Sequence, residues 1–109
     1  MSRSFFFWSA AKRDVDRYTS RMSDYDRKSG RRFFMSVRNA YARLAQMPGL
    51  GGLYESSELG LAQLRVWPIP NYENYLIFYR EVADGIEVVR EIYGGMDLDV
   101  EFEREPRRD

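Results

Sequence analysis

This sequence predicts an α+β fold of order β-α-α-β-β-β, a helical hairpin packed on one face of a small antiparallel sheet. Three observations carry that expectation. Two consecutive stretches in the first half place apolar residues three and four apart, the period of an amphipathic helix. From about residue 61 the period drops to two, the period of a strand. The chain has 109 residues, one domain by length, so both patterns must share one core.

Each element follows in order. Residues 4–8, SFFFW, are short, aromatic and β-favouring, and make a first strand. Ser9 then suits an N-cap. Ala11, Val15, Tyr18, Met22 and Tyr25 form one helical stripe, with Lys12, Arg13, Asp14, Asp16, Arg17 and Arg21 on a solvated face. Lys28-Ser29-Gly30 is the expected break. A second helix carries Phe33, Phe34, Val37, Ala40, Tyr41, Leu44 and Met47, and Pro48-Gly49 stops it. The glycine-rich stretch PGLGGLYESSELG lacks the Lys-Ser/Thr and the strand-to-helix setting of a phosphate-cradling loop. LAQLRVW is a strand with Leu64 and Val66 on one face and Gln63, Arg65 and Trp67 on the other. Pro68 and Pro70 end it, since proline cannot continue a central ladder. NYLIFYREV and IEVVREIY, joined by the turn signal Ala83-Asp84-Gly85, make a β-hairpin over 74–93. Residues 1–95 thus form a single domain. Residues 96–109 are an acidic tail, in which Met96, Leu98, Val100 and Phe102 alternate with Asp97, Asp99, Glu101 and Glu103. That period predicts an extended segment along a sheet edge or a second copy of the chain.

Composition removes several chemistries. The chain has no cysteine and no histidine, so disulfides, thiolate catalysis, a Ser-His-Asp triad and His-ligated zinc are excluded within one chain. The carboxylates Glu87, Glu91, Asp97 and Asp99 are spread along lines rather than gathered, which fits a solvated or partner-facing surface better than a metal site. No metal and no cofactor are expected. The apolar run Phe5–Trp8 is too short for a signal peptide, and nothing reaches the length of a membrane span, so a soluble, cytoplasmic protein is expected. The formal net charge is zero, yet residues 1–48 hold 11 Lys+Arg against 4 Asp+Glu, and residues 49–109 hold 6 against 13. A basic half invites nucleic acid or an acidic partner, unless the acidic half compensates it internally.

Three strand arginines stand out: Arg65, Arg80 and Arg90. Arg90 shares its predicted face with Ile86, Val88 and Ile92, and a charge among β-branched residues needs backbone carbonyls or a carboxylate, for example Glu73 or Glu81. Trp67, Tyr72, Tyr75, Phe78 and Tyr79 have the ring faces for base stacking, but their acidic neighbours and the lack of an RNA-binding signature favour core packing.

The stretch LRVWPIPNYENYLIFYREVADGIEVVREIYGG resembles the C-terminal half of the RelE/ParE superfamily of type II toxin–antitoxin toxins. WSAAKRDVDRY resembles the family's first strand and helix opening, and AYARLAQMPGLG the end of its second helix, so the resemblance spans about residues 4–97. It implies a small α+β toxin neutralised by a cognate antitoxin. One branch of the family poisons DNA gyrase by binding; the other cleaves mRNA on the ribosome. The nuclease branch carries basic residues where this chain has Leu76 and Met96, and many relatives have a histidine and an arginine where Tyr93-Gly94-Gly95-Met96-Asp97 stands. The resemblance therefore favours the gyrase-directed branch, with no catalytic residue. The alternatives are a ribosome-dependent endoribonuclease using Arg65, Arg90 and Tyr93, or a detoxified relative that only binds a partner. The partner-binding residues expected are Arg65, Trp67, Tyr75, Tyr79, Arg80, Arg90 and Tyr93, and a homodimer is the oligomer expected.

Overall fold

The computed structural model describes residues 4–54 and 63–95. A five-stranded sheet has the order β1-β5-β4-β3-β2. Its strands are Ser4–Phe7 (β1), Gly52–Leu53 (β2), Arg65–Ile69 (β3), Tyr72–Val82 (β4) and Gly85–Tyr93 (β5). Two helices, Ser9–Tyr25 (α1) and Arg27–Gln46 (α2), separate β1 from the rest. The α+β class and the order of its main elements are as expected. The sheet, however, is mixed rather than antiparallel: β1 pairs with β5 in parallel. The helical hairpin carries the chain away after β1, and the chain re-enters through β2, β3 and β4. β5 is left running alongside β1.

The helix boundary also differs from expectation. The two helices are separated by Asp26 alone, whose carboxylate accepts from Lys28 N and Ser29 Oγ. Gly30 does not break a helix; it lies inside α2. A Cβ there would meet Ser23 Oγ at 1.8 Å and Ser23 Cα at 3.1 Å, so its bareness lets the helices touch. Ser9 is the first residue of α1, not its cap, and Trp8 precedes it without a side-chain cap bond.

Pro68 sits within β3, not beyond it. β2 pairs with Arg65 and Val66, so among the described residues no neighbouring strand asks Pro68 for a hydrogen on that side. Two-residue turns join β3 to β4 through Pro70 and Asn71, and β4 to β5 through Ala83 and Asp84. Asn71 takes a positive φ of 71°, which asparagine tolerates. Gly85 has φ 151° and packs on the backbone of Ser4, where a Cβ would clash at 1.7 Å.

The helices cover one face of the sheet. Val15, Tyr18, Phe33, Val37, Tyr41 and Leu44 meet Ile77, Tyr79, Ile86 and Val88 there. The opposite face carries a second apolar cluster of Trp8, Leu64, Phe78, Val89 and Ile92. The expected alternation of Leu64 and Val66 against Trp67 is what separates these clusters along β3. The expectation for the tail over 96–109 lies outside the described residues.

Candidate functional site

The nominated residues fall into separate groups. Arg65 is half-buried, and its Nη1 donates to Gly51 O at 2.6 Å. Beside it in register, Tyr79 is fully buried; its hydroxyl donates to Pro48 O at 2.6 Å and accepts from Gly51 N at 2.8 Å. These two residues fasten the turn after α2 to the sheet, and burial raises the Tyr79 hydroxyl pKa. Trp67, also on β3, leans on the helix-side core. Its indole Nε1 has no hydrogen-bond partner among the described residues.

At the other end of β4, Tyr75 stands in register with Tyr93 on β5. Tyr75 meets the rings of Tyr18, Phe33 and Tyr93 edge-on, each at 5.1 Å between centroids. Tyr93 is 37% exposed, and its backbone N–H donates to Tyr18 Oη at 3.0 Å. Tyr72 joins through Phe33, which gives an aromatic end to the sheet. Arg80 lies apart, paired across the hairpin with Glu87 at 3.0 Å. Arg65 and Tyr93 flank β4 on opposite sides and sit four positions apart along it, about 13 Å at strand rise.

Arg90 is buried, and its partner is Asp14 of α1 rather than Glu73 or Glu81. Asp14 is a hub: it accepts from Arg90 Nε at 2.7 Å, Arg90 Nη2 at 3.0 Å, Arg17 Nη2 at 3.1 Å and the Glu91 backbone N–H at 2.9 Å. The last bond explains its position. β1 pairs with β5 only as far as Val88, and the Asp14 carboxylate takes an edge N–H just beyond that point. Sequence expectation put Asp14 on the solvated face. It lies instead on the apolar stripe, three residues after Ala11 and four before Tyr18, and is fully buried.

Glu91 was expected at the surface and is also fully buried. The cause is a β-bulge. Phe78 pairs with Arg90 while Tyr79 pairs with Val88, so Val89 is the extra residue. Beyond it the alternation slips by one. Glu91 shares a face with Ile77, and Arg90 leaves the face of Ile86 and Val88. Glu91 Oε2 accepts from Tyr41 Oη, and Oε1 has no partner among the described residues. Burial, with a smaller push from the Asp14 charge, raises the Glu91 pKa to about 8. The Tyr41 hydroxyl is raised well above its ordinary value, chiefly by burial.

Tyr41 also lines a groove of about 370 Å³ between β1, α1 and α2. Phe5, Phe7, Val15 and Phe34 give it apolar walls, and Lys12, Asp16 and Arg38 give it a charged rim. Arg38 lies over the rings of Phe5 at 5.7 Å and Phe34 at 6.0 Å, in cation–π range. Among the described residues, β1 beside it is an edge of the sheet. No sequence reading nominated this groove. Its one visible signal was Phe34, which with Phe33 makes the apolar stripe of α2 wider than its core contact needs.

A family model described as the ParE toxin of the type II toxin–antitoxin system parDE matches residues 6–98. No curated protein matches the chain.

Proposed function

This chain belongs to the ParE toxin family of type II toxin–antitoxin systems, and on that premise we propose that it halts growth by binding DNA gyrase, with no covalent step of its own, until a cognate antitoxin neutralises it. The observation that carries this reading is the family match across residues 6–98. The dispersal of Arg65, Arg90 and Tyr93 supports it. Phosphodiester cleavage needs cations and a proton-moving group around one phosphate. Here Arg65 is tied to Gly51 O, Arg90 is clamped by Asp14, and Tyr93 lies across β4 from Arg65.

In this reading residues 1–95 act as the toxin domain, in the cytoplasm. Arg65, Trp67, Tyr75, Arg80 and Tyr93 offer surface to a partner, while Tyr79 and Arg90 hold that surface in place from inside. The antitoxin contact includes the groove beside β1, whose edge accepts an added strand. Expression of the chain alone should arrest bacterial growth and induce a DNA-damage response, and the purified chain should block supercoiling by gyrase. Normal growth at high soluble expression would overturn the reading. New 5′ ends on translated messages, with supercoiling intact, would select the mRNA-cleaving branch instead.

A further inference from the structure

The hairpin's solvent-facing side is a strongly basic surface. Lys12, Arg13, Arg17 and Arg21 of α1 and Arg27, Lys28, Arg31, Arg32, Arg38 and Arg43 of α2 are all exposed. Exposed acids on the same two helices and their joint are Asp16, Asp24 and Asp26. The charge is focused where the hairpin turns. A cleft of about 620 Å³ opens there between the two helices, lined by Thr19, Ser23, Arg27, Lys28, Arg31 and Phe34. Ion pairs described elsewhere use Arg17, Arg80 and Arg90; the side chains of Arg27, Lys28 and Arg31 have no carboxylate partner among the described residues. Thr19 lines the cleft too, but its Oγ1 is buried behind the wall, with no hydrogen-bond partner among the described residues. A helical threonine ordinarily returns its hydroxyl to a carbonyl one turn back. Ser23 Oγ is held at the seam by the bare Cα of Gly30.

We propose that this cleft binds the phosphodiester backbone of nucleic acid, with Arg27, Lys28 and Arg31 as its cations and Ser23 as a hydroxyl donor. Three exposed cations beside the Ser23 hydroxyl match a phosphate, which accepts several hydrogen bonds at once. The site does not use the start of α2 as an anion hole, because Asp26 already caps it. Nor does it depend on gyrase as target: the contact is to nucleic acid itself. A basic layer with few acids is also the electrostatic footprint of such binding.

The test is fluorescence anisotropy of the purified full chain, with a labelled 20-base-pair duplex DNA and a labelled 20-nucleotide single-stranded RNA. Binding should weaken between 50 and 200 mM salt. For the duplex, each neutralised phosphate adds about −0.9 to the slope of log K against log salt, so three cations contribute roughly −3. The variant Arg27→Gln/Lys28→Gln/Arg31→Gln should lose that share of the slope and bind at least about tenfold more weakly at 50 mM salt. All three side chains are exposed, and circular dichroism checks that the fold is kept. Arg43→Gln, at the far end of α2, should bind like the parent. The stronger arm identifies duplex or single strand as the ligand. No binding at 50 mM salt overturns the proposal. So does an equal loss in Arg43→Gln, or displacement of the nucleic acid by poly-glutamate of matched charge.

Discussion

At the scale of single residues, Asp14 and Glu91 are two buried carboxyls with opposite consequences. Asp14 is surrounded by donors, including both nitrogens of the Arg90 fork that face it. Replacing it with alanine leaves the Arg90 charge buried with its main partner gone, which should cost about 3–5 kcal/mol by urea denaturation. Arg17→Ala, at the exposed side of the same carboxylate, should cost under about 1 kcal/mol. Glu91 has one hydrogen bond from Tyr41 and a bare second oxygen. Its folded pKa is about 8, above the ordinary value of 4.5. Between those values the folded chain holds a proton that the unfolded chain has released. Stability contributed by the neutral carboxyl is therefore complete below about pH 4.5 and is lost progressively as pH rises to about 8. Glu91→Gln should remove this slope and be more stable than the parent at pH 9. Urea midpoints at pH 5, 7 and 9 test both statements, and a parent that stays flat over that range would sink them.

At the scale of elements, the hairpin shows how a local rule yields to packing. Glycine inside a helix costs about 1 kcal/mol relative to alanine. Gly30→Ala should nevertheless destabilise, by about 1–3 kcal/mol, because the added methyl meets the backbone of Ser23 as well as its hydroxyl. The melting temperature, followed by circular dichroism, should fall. Ser23→Gly placed on the same chain should recover part of the loss, which a purely helical-propensity effect would not do. The same residue marks a limit of legibility. Helix and strand periods reveal which elements exist, because a buried stripe must recur with the backbone's repeat. Gly30 looks like punctuation until its neighbour on the other helix is known. The bulge at Val89 is equally silent, since two β-branched residues in a row suit either face. Its slip of one residue carries Glu91 inward and turns Arg90 toward Asp14, so the deepest part of the candidate site could not be read from alternation. Asp14 itself was within reach: three residues after Ala11 and four before Tyr18, it obeys the stripe, and only its charge argued for the surface. The parallel placing of β1 depends on where the chain returns after the hairpin, which no local pattern records.

At the scale of the whole molecule, simple compensation between a basic half and an acidic half would set hairpin cations against sheet acids. The buried ion pair that joins them runs the other way, with an acid from α1 and an arginine from β5. Arg27, Lys28, Arg31 and Arg32 of the hairpin are exposed, and the polar residues nominated for catalysis are spread over the sheet. That spread separates the two modes of action open to this family. Under the binding reading, the Tyr93 hydroxyl has no proton to move; the residue contributes its ring, set against Tyr75, and its backbone N–H, held by Tyr18. Tyr93→Phe keeps both contacts and removes only the hydroxyl. Growth arrest on expression should therefore be retained, within about threefold of the parent in the inducer needed. An RNA-cleaving mechanism that uses this hydroxyl as general acid would instead lose roughly 100-fold or more. Circular dichroism and soluble yield establish that the variant is folded. Loss of arrest in a folded Tyr93→Phe chain would make Arg65 and Tyr93 parts of one site despite their separation across β4, and the binding reading would fall with it.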